Sequence, residues 1–214
     1  TVCVSSQAGC RFNCAFCASG QSGLARNLSP GEIAGQIILS TAALGKKPTH
    51  TVFMGVGEPF DNYDAVMKAV RIINDPDGLA IGARRITIST CGIIPGIAKL
   101  ADEGIQLELS VSLHAPDNQL RSKLMPVNRK YPLEDLMRAC SDYTDRTNRI
   151  ITFEYVLISG VNDSKKNAAG LARLLAPLKC RVNLIPLSPV EEFTHQPAPD
   201  SAMEYFTRAL REHG

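Results

Sequence analysis

Three of the seven cysteines, Cys10, Cys14 and Cys17, fall within eight residues as C-x3-C-x2-C. Thiolates at such spacing hold iron–sulfur clusters. Three ligands on a four-iron cubane leave one iron open, and an open iron binds and activates a small molecule. A structural zinc site is the alternative, but it needs a fourth ligand, usually from a second Cys or His pair. Cys91, Cys140 and Cys180 are isolated, and no His pair exists. An odd, clustered set of cysteines in a chain long enough to build its own core is not a disulfide framework. It points to metal or redox chemistry in a reducing cytoplasm.

Other residues able to do chemistry are scattered more widely. Gly57-Glu58-Pro59 joins a residue without a side chain to a carboxylate able to accept from an ammonium. Read blandly, it is a turn with a solvated Glu. Ser89 and Ser112-Leu113-His114 supply hydroxyls and an imidazole, although a lone His is as readily a satisfied core or capping group. Cys3, seven residues before Cys10, reads on its own as a small buried hydrophobe.

Positioning these groups falls to a regular alternation. Strand-like runs cover Thr1–Ser6, His50–Val56, Arg85–Thr90, Ile105–Leu113, Ile150–Leu157 and Arg181–Pro186. Between and after them, patterns of helical period cover Pro30–Leu44, Tyr63–Asn74, Ile94–Glu103, Leu133–Tyr143, Ser164–Leu175 and Ser201–Glu212. Ser29, Pro30 and Glu32 form a capping-box start, and Gly45 suits a left-handed stop. Six strand–helix units in alternation predict an α/β fold with a parallel sheet. Six are too few for a closed eight-stranded barrel, which leaves an open partial (βα)6 TIM-like barrel or a doubly wound sheet. In both, ligands gather where strands end, and the singled-out residues lie at predicted strand ends or just after them, except Cys3, which lies inside the first strand. One domain over 1–214 is expected.

With these motifs in view, the chain resembles the radical S-adenosylmethionine (SAM) enzymes, through its C-x3-C-x2-C motif and the aromatic Phe16 before the third cysteine. It is most similar to the RlmN/Cfr family, which methylates adenosine in 23S ribosomal RNA. Six ordered blocks carry that resemblance: Cys3 to Cys10, Arg26-Asn27-Leu28, Met54 to Pro59, Ser89-Thr90, Ser112 to Pro116, and Asn183 to Pro186. The resemblance implies the radical SAM partial barrel, a [4Fe–4S] cluster on Cys10, Cys14 and Cys17, and SAM bound at Gly57, Glu58, Ser89, Ser112, Leu113, His114 and Ser188. Where this chain has Ser188 the family generally has Asn, which exchanges an amide for a shorter hydroxyl.

The chemistry implied is a two-SAM methyl transfer to C2 of adenine; Cfr-like methylation at C8 is the alternative within the family. One SAM methylates a cysteine in the C-terminal segment, and a radical from the second converts that methyl group into the carbon that adds to the base. Cys3 then resolves the covalent protein–RNA intermediate. The methyl-accepting cysteine and an accessory N-terminal domain lie outside these 214 residues, so the chain is expected to be the core of a longer enzyme. Transfer RNA as a further substrate, an electron donor of the flavodoxin/flavodoxin reductase type, a monomeric state and a cytoplasmic location are also implied. The residues neither demand nor oppose an RNA partner: Lys and Arg number 23 against 21 Asp and Glu, a net charge of +2. No apolar run reaches the roughly 18 residues of a membrane span. Arg11, Arg26, Lys46-Lys47, Arg84-Arg85 and Arg129-Lys130 are candidate phosphate contacts provided they surround the barrel mouth. Phe12 and Phe16 are expected to shield the cluster rather than stack on a base.

Overall fold

A computed structural model describes residues 1–191 and 193–212. Six strands, β1 (Val2–Cys3), β4 (Thr51–Phe53), β5 (Ile86–Thr90), β6 (Glu108–Ser112), β7 (Ile151–Leu157) and β8 (Cys180–Pro186), form one sheet in that order, every neighbouring pair parallel. The sheet curls into a half-barrel. Helices α2 (Pro30–Leu44), α3 (Tyr63–Asn74), α4 (Ile94–Asp102), α6 (Leu133–Thr147), α7 (Lys165–Leu175) and α8 (Asp200–Glu212) make the crossovers and the outer layer. All six expected helices form, within a few residues of their predicted bounds. The capping box of α2 is present: Glu32 N donates to Ser29 Oγ (3.3 Å) and Ser29 N donates to Glu32 Oε2 (2.8 Å). Gly45 ends that helix at φ +61°.

The strand register sorts residues onto two faces, because partners in neighbouring strands point the same way. Phe53, Ile88, Leu109 and Ile151 lie in one row, and Val111 and Phe153 in the next. These side chains are buried, the apolar face against which the helices pack. The inner face is polar. Ser89 aligns with Ser110 and Thr152, and Ser112 aligns with Glu154 and Asn183.

Two expectations change. The first strand does not run through Thr1–Ser6: only Val2 and Cys3 join the ladder, although Val4 N still donates to Val52 O and Ser6 N to Val56 O. Nor does the cysteine loop follow that strand directly. It hangs from an antiparallel hairpin of β2 (Gln7–Gly9) and β3 (Leu24–Asn27), a pair too short and too polar to show a period. Two short helices, α1 (Ala18–Gln21) and α5 (Asn118–Leu124), are also additional to the sequence pattern.

Candidate cluster and cofactor site

The hairpin pinches the cysteine loop at its base. Cys10 N donates to Gly23 O (2.9 Å), and a Cβ on Gly9 would lie 1.9 Å from that same oxygen, so this position must be glycine. Gly9 also has φ +80°, which glycine alone adopts without strain. Within the loop Cys17 N donates to Cys14 O (3.0 Å), and Ala15 N donates to Leu124 O (2.9 Å) at the end of α5. Phe12, Cys14 and Phe16 then pack on a second apolar cluster separate from the main core. It comprises Cys91, Leu124, Met125, Val127, Ile158 and Leu187, drawn from the segments after β5, β6, β7 and β8. The loop is thereby seated across the strand ends, as the parallel topology predicts.

All three loop cysteines are partly exposed free thiols. Burial first, and then the like charges of Cys17 and Cys10, push the Cys14 thiol up to about 12. Cys10 is raised by burial too, with Cys17 among the added repulsions. The three sulfurs therefore share one electrostatic neighbourhood, where holding them all as thiolates needs a cation. No group of three or more His, Cys, Asp or Glu among the described residues is drawn together as in a single-ion site. A cubane asks for something else, since each of its thiolates goes to a different iron. The donor set, its spacing on one pinned loop and its apolar backing fit a four-iron cluster.

Gly57 and Glu58 follow β4, but the structure gives them work within the chain. A Cβ on Gly57 (φ +109°) would meet Gln7 Cβ at 2.6 Å and Ser6 Oγ at 2.8 Å. The close approach that this glycine permits is thus of the segment after β1 to the segment after β4. Beside it, the buried Ser6 Oγ has no hydrogen-bond partner among the described residues. Glu58 is only 3% exposed, and both of its carboxylate oxygens are engaged within the chain. Its Oε1 accepts from Phe60 N (3.0 Å) and its Oε2 from Cys91 N (2.7 Å), so it braces β4 against the end of β5. Burial raises its pKa, opposed by these N–H donors. Gln7 completes the brace: its Oε1 accepts from Glu58 N (2.8 Å), and its amide donates to Asn27 and to Asp61 (2.8 Å each).

Ser89 and Ser112 are partly exposed on the inner face. Leu113 is fully buried in the main core, which leaves only its backbone for a ligand. His114 is buried at φ +57°. Its Nδ1 accepts from Val156 N (2.9 Å), which places the remaining proton on Nε2 in the neutral ring. Burial lowers its pKa to about 3, with the Arg121 charge adding to the effect. Phe16 meets the ring edge-on, with centroids 4.6 Å apart. Asn162 Nδ2 donates to His114 O (2.8 Å) and to Val156 O (2.7 Å), locking the β6 and β7 ends together. Ser188 is exposed just beyond β8. Cys3 is exposed rather than buried; its partner Val52 aligns with Thr87, which puts Cys3 on the inner face shared by Ser89 and Ser112.

The basic residues divide by topology. Arg11 and Arg129-Lys130 lie in segments at the strand-end rim, whereas Lys46-Lys47 and Arg84-Arg85 precede strands and so sit at the opposite end. Arg11 Nε pairs with Asp61 (2.9 Å) and Arg26 with Glu32 (2.7 Å). Sequence reasoning missed Glu154, whose Oε2 accepts from Asn183 Nδ2 (2.8 Å) on the inner face. A Glu amid the apolar run Ile151–Leu157 was the available signal. It also missed Arg121, which carried no signal in isolation.

The family model described as Radical SAM superfamily matches residues 4–172. Two relatives named "Probable dual-specificity RNA methyltransferase RlmN" align with the whole chain. The one from Moorella thermoacetica is 52% identical over 219 residues, with this chain spanning 62% of its length. The one from Geobacillus kaustophilus is 52% identical over 217 residues, with 60% of its length spanned. Among solved structures, a radical SAM methyltransferase from Sphaerobacter thermophilus superposes with a TM-score of 0.96 at 49% identity, over 99% of this chain and 63% of that one. The hydrogenase maturase HydG shares the fold at a TM-score of 0.72 and 14% identity, over 98% of this chain and 48% of that one.

Proposed function

From the premise that the chain belongs to the radical SAM superfamily, we propose that it is the catalytic core of an RlmN-type methyltransferase acting at C2 of adenosine in 23S ribosomal RNA and in transfer RNA. Residues 1–214 form one core domain of a longer enzyme, and the chain spans about three-fifths of the length of the curated relatives it matches. The observation that carries the mechanistic reading is Cys3: an exposed thiol on the same inner face as Ser89 and Ser112, below the rim where the cysteine loop is seated.

Cys10, Cys14 and Cys17 would hold the cluster, and Gly57, Glu58, Ser89, Ser112, Leu113, His114 and Ser188 would bind SAM. A reduced [4Fe–4S] cluster with bound SAM supplies one-electron cleavage of the sulfonium, and with it hydrogen abstraction. The protein's own residues bind and orient. Phe12 and Phe16 keep water from the loop, Glu58 and Gln7 fix the backbone after β4, and Ser89, Ser112 and Ser188 offer hydroxyls. His114 offers its Nε2 proton while its Nδ1 stays committed to Val156. The adenine, which must leave its stack to be reached, enters from the rim. Cys3 serves as the thiol that resolves the covalent adduct, the methyl-carrying cysteine lying outside residues 1–214.

A flavodoxin-type donor, a monomeric state and a cytoplasmic location complete the proposal. No helix among the described residues is long and apolar enough to cross a membrane. The test is anaerobic loading with iron and sulfide, followed by SAM, a strong reductant and ribosomal RNA, with nucleosides read by mass spectrometry. Full-length protein is expected to yield 2-methyladenosine, and residues 1–214 alone 5′-deoxyadenosine without it. An 8-methyl product would reassign the regiochemistry, and absence of both products from a cluster-loaded full-length protein would remove the reading.

A further inference from the structure

The largest fully buried side chain is not apolar: Arg121 in α5 is 0% exposed. No ion pair among the described residues includes it. Its guanidinium instead donates to four neutral acceptors. Nη2 reaches Cys91 O (2.8 Å) and Ser112 O (2.9 Å), Nε reaches Leu113 O (3.3 Å), and Nη1 reaches Asn128 Oδ1 (3.0 Å). Asn128 is held in that orientation because its own amide donates to Ser122 Oγ (2.8 Å) and Asn118 Oδ1 (3.1 Å). Gly92 makes the room: a Cβ there would lie 3.0 Å from Nη2.

A cation buried among carbonyls without a carboxylate is unfavourable. Filling this space alone would need only an apolar side chain. What the position offers is contact with the cofactor site on three sides. The Cys91 backbone is fastened between two buried side chains, its N–H on Glu58 and its carbonyl on Arg121. Ser112 and Leu113, at the end of β6, accept from the same guanidinium. One turn beyond Arg121, Leu124 O accepts from Ala15 N, inside the cysteine loop. Burial lowers the Arg121 pKa only to about 10, so it stays charged at neutral pH, and its field acts on Cys14 and on His114.

We propose that Arg121 is a positioning residue that also acts through its charge. It ties the ends of β5 and β6 to the helix that seats the cysteine loop, and it is the resident counter-charge of the thiolate-bound cluster. The inference rests on the reading that this loop holds a four-iron cluster, and not on which nucleobase is methylated. Each thiolate adds negative charge to the site, and reduction adds one more. A buried cation favours the more negative state and so raises the reduction potential.

The experiment is a redox titration of the cluster-loaded full-length protein, followed by electron paramagnetic resonance, alongside its Arg121→Gln, Arg121→Lys and Asn128→Asp variants. Arg121→Gln keeps two N–H donors without the charge, and at least a tenfold fall in the reduction equilibrium is expected, about 59 mV for a one-electron couple. Arg121→Lys, which keeps the charge, should stay within threefold of wild type. Asn128→Asp sets an anion against the guanidinium without removing it, and should shift the equilibrium in the same direction as Arg121→Gln even where that variant folds poorly. Equal potentials in all four proteins, or equal shifts in the Lys and Gln variants, would leave Arg121 a packing residue and overturn the proposal. A wild-type protein that assembles no cluster would remove the underlying reading first, an outcome distinct from either of these.

Discussion

The described residues form two apolar cores built on different principles. The main core lies between the outer face of the sheet and its helices, where Ile86, Ile88, Val111, Phe153 and Tyr155 are 0% exposed. The core at the rim joins Cys91, Leu124, Met125, Val127, Ile158 and Leu187 to the partly buried Phe12, Cys14 and Phe16. Regular elements repeat their apolar positions and build the first. The second takes one to three residues from each of the segments after four strands, which share no common period, and it relies on buried polar groups to hold those segments. Glu58, Arg121 and Asn162 each bridge segments that follow different strands, and His114 ties the segment after β6 to β7. A fold that must present an open site to a ligand gains its stability in one core and places its chemistry beside the other.

The sharpest way to separate the two is to remove a loop thiol. Cys14→Ala is expected to abolish cluster loading and all SAM cleavage, read as iron and sulfide content and 5′-deoxyadenosine formation. The far-ultraviolet circular dichroism should stay unchanged, because Cys14 belongs to the rim and not to the main core. A general collapse of the fold would mean that the rim is a folding nucleus as well as a site.

A pair of aromatic truncations measures the same contrast in stability. Phe153→Ala in β7 removes a fully buried ring and should cost about 3–5 kcal/mol in denaturant unfolding. Phe16→Ala removes a half-buried ring and its edge contact with His114, and should cost about 1–2 kcal/mol. Its larger effect should be on the lifetime of the loaded cluster in air, which shortens once the loop loses its shield. Equal costs for the two would erase the distinction between the cores.

Acid should attack the rim first. The folded-state pKa of His114, about 3, lies below the ordinary 6.5, so the unfolded chain takes up the proton first. The stability linked to a neutral His114 is therefore complete above pH 6.5 and is lost as pH falls toward 3. His114→Asn keeps an acceptor for Val156 N and tolerates the positive φ. Between pH 7 and pH 5 wild type should lose up to about 2 kcal/mol more than this variant. Glu58 acts with the opposite sign, since its pKa is raised by burial, but it is common to both proteins and cancels in the difference.

The two cores also differ in how far the sequence discloses them. The alternation Ile86-Thr87-Ile88-Ser89-Thr90 discloses both a strand and its two faces, and Ser29 with Glu32 discloses the start of a helix. The loop cysteines and the strand-end serines stand out because their types and positions are unusual. The reasons behind other residues stay hidden. Nothing in the sequence shows that Glu58 also accepts from Cys91 N, or that Gly57 also makes room for Ser6 and Gln7. Arg121 carries no signal in the sequence, and only tertiary packing shows it buried. Partners 30 or so residues apart in loops leave no period to find, so the bracing around the site becomes visible only in three dimensions.

Cys3 belongs to neither core, and its substitution should have the smallest effect on structure and a specific one on chemistry. It ends β1 exposed, on the inner face through its register with Val52. Serine preserves size and backbone pairing, so Cys3→Ser should change stability by less than about 0.5 kcal/mol. Iron content and SAM cleavage should match wild type. If the thiol resolves the adduct, the full-length variant should stall after a single turnover with RNA covalently attached, seen as a slower band on denaturing gels that ribonuclease removes. Loss of iron with no trapped RNA would instead place Cys3 among the residues that support the cluster. Unimpaired multiple turnover would show that resolution needs no thiol at this position, and the inner face would then serve binding alone.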